Sequence, residues 1–270
     1  VKLKHLVILA GILCPINIFS QQIVNQLSSG GIAWGYKLTQ LDSEIPMMDM
    51  GPIDEVTLAQ EDLINDQNKS GSFRFGYNHF VNYNLNNSGY WKVLDNGDKV
   101  WRIGFSCPGA ISVNLAFQYV SIPAGAKLFV YNEDRTVCLG AFEQEHISPD
   151  LQFGTELLPG ENIIVEYYVP AGLTNVGSLE IFRVTHGYRS IVDYANRAFG
   201  GSGTCENNAR CPAYSSRDNQ IRSVVCLVSG GSEFCSGALV NNTCNNGTPY
   251  VLTANHCGTS GFGTWVFRFN

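Results

Sequence analysis

From residue 90 the chain alternates apolar and polar positions with a period of two. Residues 90–105, YWKVLDNGDKVWRIGF, carry the alternation on both sides of Asn96-Gly97. That dipeptide accepts the positive φ angles of a tight turn, so the stretch predicts a β-hairpin. Trp91 and Trp101 flank the turn and are expected to pack, in the core or across the strands, in preference to forming a sugar-binding platform. Residues 111–117 (ISVNLAF) alternate strictly, and 127–131, 162–168 and 178–184 are further apolar-rich runs. Turn-forming clusters separate them at 123–125 (PAG), 132–134 (NED), 159–160 (PG) and 170–172 (PAG). Short strands at this spacing, with no long helical period between them, predict a β-sandwich over residues 71–188.

The flanks read differently. Lys2 and Lys4 precede an apolar run over 6–19, broken only by Asn17, and Ser20 offers a small residue at its end. This is the pattern of a secretory signal over residues 1–20, too short for a confident membrane span. Gly11-Ile12-Leu13 before Cys14 fits a lipoprotein cleavage site poorly. Residues 21–70 are acidic and weakly periodic, with a short helix predicted over 54–64 and little core of their own. Residues 189–199 read as a linker running into Gly200-Gly201-Ser202-Gly203, an open and flexible composition. Beyond it, 221–228 predicts a strand, 229–232 (SGGS) a turn and 233–240 the returning strand. Residues 241–249 form a polar loop, 250–254 a third strand that delivers Asn255-His256-Cys257, and 265–269 a fourth.

Charge and cysteine content both shift near residue 200. Residues 21–199 hold 11 basic and 20 acidic side chains, a net of −9, whereas 200–270 carry a net of +1. No basic stripe exists, which argues against a nucleic-acid partner. Cys107 and Cys138 lie mid-chain beside predicted strands and are a candidate bridge. Six cysteines crowd the last 70 residues: Cys205, Cys211, Cys226, Cys235, Cys244 and Cys257. In an exported chain they read as a disulfide framework with fifteen formal pairings. They lack the paired CxxC spacing of structural zinc, and no acidic loop has calcium-ligand spacing, so no metal or cofactor is implied. His79, His146 and His186 are far apart in sequence and read as surface or packing residues. A bridge between Cys235 and Cys257 would staple the second strand of this region to the end of the third and fix the backbone beside His256. A general base needs that support, because it must sit within hydrogen-bond reach of a hydroxyl.

The segments CSGALVNN and PYVLTANHC resemble the histidine region of trypsin-fold serine proteases. GSGTCENNARCP, IRSVVCLV, CSGALVNNT and YVLTANHCG follow the order and spacing of the bacterial lysyl endopeptidase branch. NYNLNNSGYW, GDKVWRI, GAKLFVYNEDR and LGAF resemble the propeptide-side domain of secreted enzymes of this kind. The resemblance implies an all-β precursor: a β-sandwich prodomain, then an incomplete first barrel of a chymotrypsin-like double β-barrel over 200–270. It implies His256 as the catalytic histidine, a Cys235–Cys257 disulfide around it, and Cys205 and Cys211 as cysteines whose partners lie further along, unpaired here. Cys226 and Cys244 have no assigned counterpart and are a candidate extra bridge.

In this clan the triad runs His, Asp, Ser, and the resemblance implies the roles these residues have in chymotrypsin. Asp193 and Asp218 precede the histidine and do not match the orienting aspartate, and no nucleophile segment follows. A two-barrel protease needs about 200–250 residues, so the chain is expected to be a fragment, inert alone, of a secreted, extracellular or periplasmic bacterial endopeptidase acting on polypeptides. The branch matures by a cut before the position of Gly200. Phe199 precedes it here, with Arg197 nearby as a basic alternative. An intramolecular prodomain–protease contact follows from the same resemblance, with no membrane association once the signal is removed. The reading from another class is a secreted binding or adhesion protein whose sandwich is the active part.

Overall fold

The computed structural model describes residues 28–37, 45–68, 71–190, 216–258 and 260–269. In chain order these form β1 (Met47–Asp49), α1 (Glu55–Asn68), β2 (Phe73–Arg74) and β3 (Gly76–Asn84). The hairpin β4 (Tyr90–Val93) and β5 (Lys99–Ser106) follows, then β6 (Ser112–Ser121), β7 (Lys127–Asn132) and β8 (Cys138–Phe142). The two-residue β9 (Phe153–Gly154) and β10 (Leu158–Pro159) lead into β11 (Asn162–Val169) and β12 (Ser178–Gly187). The last part holds α2 (Asp218–Ser223), β13 (Val224–Ser229), β14 (Ser232–Val240), β15 (Tyr250–Thr253) and β16 (Val266–Phe269).

The strands make three sheets. The first has the order β1-β5-β11-β7-β8 with β4 also on β5, and the second β10-β6-β12-β3 with β9 on β6. The hairpin predicted around Asn96-Gly97 is present, with Trp91 opposite Trp101. Gly97 takes φ +85°, the left-handed value the turn requires. The first two sheets bury one cluster between their faces, as in a β-sandwich. Trp101, Ile103 and Phe105 of β5 and Val165 and Tyr167 of β11 join Val113, Leu115 and Phe117 of β6 and Ile181 and Val184 of β12. Each such side chain stabilises by roughly 1.5–3 kcal/mol on leaving water.

β11 is buried on both faces because both are covered. On its far side Ala33, Ile45, Phe129, Tyr131, Ala141 and Ile164 form a second cluster. Residues 28–37, expected to have little core, run along this face. Ser29 donates its N–H to the Ala141 carbonyl (2.9 Å), and Ala141 donates to Gly30 (3.0 Å). The Trp34 and Gly35 amides donate to the buried Glu166 carboxylate at 2.6 and 2.7 Å. The acidic lead therefore finishes the sheet instead of standing apart from it. Its helix is α1, capped by Asp54, which accepts from the Thr57 amide (3.1 Å) and hydroxyl (2.7 Å). Asp62 on α1 is 4% exposed and is gripped by Arg74 (2.9 Å), Arg189 (3.0 Å) and the Tyr188 hydroxyl (2.7 Å).

The third sheet has the order β15-β14-β13-β16, with β2 added to β14. This order is linear, so among the described residues no barrel closes. β13 begins at Val224, not 221. The polar run ahead of it offers Ile221 as its one large apolar side chain, too little for a strand face, and coils into α2. The sheet docks on the other two through Phe73 and Phe75, which pack with Val228 and Val266. The Phe75 and Gly76 amides both donate to the Gly231 carbonyl (2.8 and 3.0 Å), and the Asn78 side chain donates to Gly230 (2.7 Å). No described helix is long and apolar enough to cross a membrane.

Candidate active site around His256

β15 is set against β14 with Gly237 opposite Thr253 and Ala238 opposite Leu252. Gly237 permits this approach: a Cβ there would lie 2.8 Å from the Leu252 carbonyl oxygen and 3.0 Å from Val251. At the end of β15 the chain turns into a 3-10 turn, Asn255–Cys257, in which the Cys257 amide donates to the Ala254 carbonyl (3.0 Å). Gly258 ends the turn at φ +138° and lies under Trp265, with room for no Cβ beyond 3.0 Å from the indole. Trp265 in turn packs edge-on against Phe234 (5.0 Å) and Phe262 (4.7 Å).

Two further ties hold the turn. Cys235 on β14 is disulfide-bonded to Cys257, with the Cα atoms 5.8 Å apart. The Thr253 hydroxyl donates to the Ser236 carbonyl at 2.8 Å and lies 3.2 Å from the Cys257 sulfur. His256 therefore sits on a short turn anchored on both sides, with an imidazole nitrogen within 4.8 Å of both sulfurs. Those sulfurs are joined to each other, so they are not thiolate ligands and the trio is not a zinc site. The imidazole is exposed and makes no hydrogen bond to a described residue, so it is free to meet a group approaching from solvent.

The other cysteines depart from the pairings considered above. Cys107, Cys138, Cys226 and Cys244 are free thiols. Cys107 lies in the core between the first two sheets, while Cys138 packs on the far side of the first sheet, so the sheet itself separates them. Cys226 packs beneath the third sheet and Cys244 is exposed in the polar loop. Arg197, Phe199, Gly200, Cys205 and Cys211, together with the signal segment, lie outside the described residues.

Where the third sheet meets the second, sequence reasoning missed a charged cluster. Glu156, Glu233, Arg268 and Cys226 come from four separate stretches. Arg268 is 4.0 Å from Glu156. Burial pushes both carboxyls up, with Arg268 opposing it. Cys226 hydrogen-bonds Glu233, and burial, with that carboxyl beside it, raises its thiol to about 12. A thiol so placed is inert at neutral pH. No spacing rule links these residues, so no local signal announced them.

The other described histidines are capping and packing residues. His146 is a local cap whose Nδ1 accepts from the Glu143 amide (3.0 Å). His79 and His186, distant in sequence, come together with ring centroids 6.1 Å apart.

Residues 199–270 match the family model described as lysyl endopeptidase, C-terminal domain. Among solved structures, an exo-β-1,3-galactanase from Phanerochaete chrysosporium with bound β-1,3-galactotriose is similar at 12% identity and a TM-score of 0.20. The match covers 41% of this chain, which spans 27% of that one, and it carries no argument about fold or function. The stretch bearing His256 and its disulfide is the stretch the family model covers, so residues 199–270 are related to the lysyl endopeptidase branch of the trypsin-fold serine proteases.

Proposed function

We propose that the chain is the N-terminal part of a secreted bacterial serine endopeptidase precursor, with His256 as general base. Residues 1–20 are its signal, 21–199 its prosegment with the sandwich at 71–188, and 200–270 the start of its catalytic domain. The observation that carries this is one exposed imidazole on a turn stapled by Cys235–Cys257, inside the stretch that matches the family. In this role His256 accepts the proton of a serine hydroxyl as the oxygen attacks a peptide carbonyl, then returns it to the leaving amine. No aspartate follows His256 in this sequence. On this reading the orienting carboxylate and the nucleophile are supplied from outside residues 1–270.

The anchoring of the turn supports the role physically. A base displaced by about 1 Å loses on the order of 10²-fold in rate, and His256 has ties on both sides against such drift. The docking of β2 on β14 supports a prosegment that contacts the catalytic domain directly. No metal or cofactor enters the chemistry.

The test is expression of the full reading frame, labelling with a serine-directed phosphonate and assay on peptides carrying lysine or arginine. Labelling that disappears in His256→Ala, with kcat down by about 10⁶, supports the reading. A full-length product that neither labels nor cleaves removes it. N-terminal sequencing of active enzyme places the maturation cut. A Phe199–Gly200 bond intact in active enzyme would exclude that junction.

A further inference from the structure

The ends of β3 and β12 carry two histidines that neither the catalytic reading nor local capping uses. His186 is fully buried, and neither of its ring nitrogens is hydrogen-bonded to a described residue; the Nε2 of His79 is likewise buried and unbonded. Tyr77, paired with His186 across the two strands, packs edge-on against His79 at 5.1 Å. The charged groups that face the pair are Glu55 from α1 and Glu161 from the turn before β11; β6, on the other side of β12, presents the uncharged Val113. A neutral imidazole tolerates such a site at modest cost. An imidazolium has two N–H donors and a charge, and with neither ring nitrogen of His186 bonded to a described residue it must be hydrated or expelled.

The same strand ends hold the third sheet. Asn78, next to His79, accepts from the Thr185 hydroxyl (2.8 Å) and donates to the Gly230 carbonyl. Gly76 pairs with Gly187 and donates to Gly231, and Arg183 on β12 reaches Ser229 at 3.4 Å. The docking contacts are thus made by the residues between and beside the two imidazoles.

We propose that His79 and His186 form an acid-sensitive latch: proton uptake opens the paired ends of β3 and β12 and undocks the third sheet from the sandwich. Its meaning as prosegment release rests on the precursor reading; the undocking itself does not. Burial lowers both histidines, and in His186 the neighbouring His79 lowers it further against the pull of Glu55 and Glu161. A lowered folded-state value means that docking is fully present above the ordinary histidine range and is lost as pH falls through the shifted values. The Glu156–Glu233–Arg268 cluster works in the opposite sense, since its raised carboxyls favour the docked state in acid. Acid undocking therefore cannot come from that cluster.

The experiment reads both rings by NMR and the hydrogen-exchange protection of the Phe75 and Gly76 amides, in the full chain, from pH 8 to 4.5. Both rings should titrate below the ordinary value. Protection, corrected for intrinsic exchange, should fall about tenfold per pH unit for each histidine within that window. His79→Gln should halve the logarithmic slope, and His79→Gln with His186→Phe should abolish it. If the double variant does not fold, the wild-type titration and the single variant decide. Rings that titrate at the ordinary value, amides protected down to pH 4.5, or a slope unchanged in His79→Gln would each overturn the latch. A latch observed without serine labelling of the full reading frame would stand while the precursor reading fell; labelling without a latch would do the reverse.

Discussion

His256 owes its place to three neighbours more than to itself. Thr253 anchors the strand end, Gly258 lets the turn pass under Trp265, and Cys257 ties it to Cys235. The resemblance carried by CSGALVNN and PYVLTANHC already implied this cysteine pair. Replacing Cys235 and Cys257 together with serine should cost about 3 kcal/mol, the chain-entropy value for a loop of this length. Denaturant unfolding followed by Trp265 fluorescence checks this, with loss of His256 function in the full-length enzyme. The candidate bridges Cys107–Cys138 and Cys226–Cys244 show the opposite case. Nothing in the order of residues told which face of a sheet each sulfur would meet. Asp62 makes the same point for charge. It sits on a helix with ordinary helical spacing, yet ends up buried between two arginines and a phenol. Asp62→Ala should destabilise by about 1–3 kcal/mol, because the Tyr188 hydroxyl loses its acceptor while Glu61 and Asp66 keep the part-buried arginines paired, measurable by urea denaturation.

The strands with clean alternation or long apolar runs, β4 to β7, β11 and β12, were legible because their pattern is set locally. β1, β2, β8, β9 and β10 were not. They are two to five residues long, too short for a period to register, and exist because a neighbouring strand offers free N–H and C=O groups. β3 is longer, but its exposed edge mixes Tyr77, Phe80 and Tyr83 with asparagines and blurs the alternation. The turn between β13 and β14 was foreseen; its second role as a docking element was not. Gly231 lies at φ +74°, and a Cβ there would collide with the Gly76 carbonyl oxygen. Gly231→Ala should therefore cost about 1–3 kcal/mol and, unlike Gly247→Ala in the open loop, should lower the exchange protection of the Phe75 and Gly76 amides.

Three sheets meet in this molecule, and their junctions hold most of the ionisable groups that local sequence could not place. The Glu156–Glu233–Arg268 cluster shares one guanidinium between two carboxyls whose burial raises them. Folded-state values above the unfolded ones contribute stability that is full below the ordinary carboxylate range and declines as pH rises through the raised values. Glu156→Gln should flatten that decline between pH 4 and 7, measured as the midpoint of thermal unfolding against pH in the latch-free background of His79→Gln with His186→Phe. The third sheet itself keeps large apolar side chains exposed, Leu252 at 66% and Phe269 at 48% among them.

Alternation along the chain was enough to announce strands, a turn at Asn96-Gly97 and a β-rich molecule, and one contiguous motif was enough to mark His256 with its cysteine neighbours. These are short-range properties: residues a few positions apart either share a face or do not. Which sheet faces which, where residues 28–37 lie, which thiols stay apart, and how His79 comes to stand beside His186 depend on contacts between residues separated by tens to hundreds of positions. Those contacts are settled by how whole faces bury their apolar area together, and no local pattern encodes that choice.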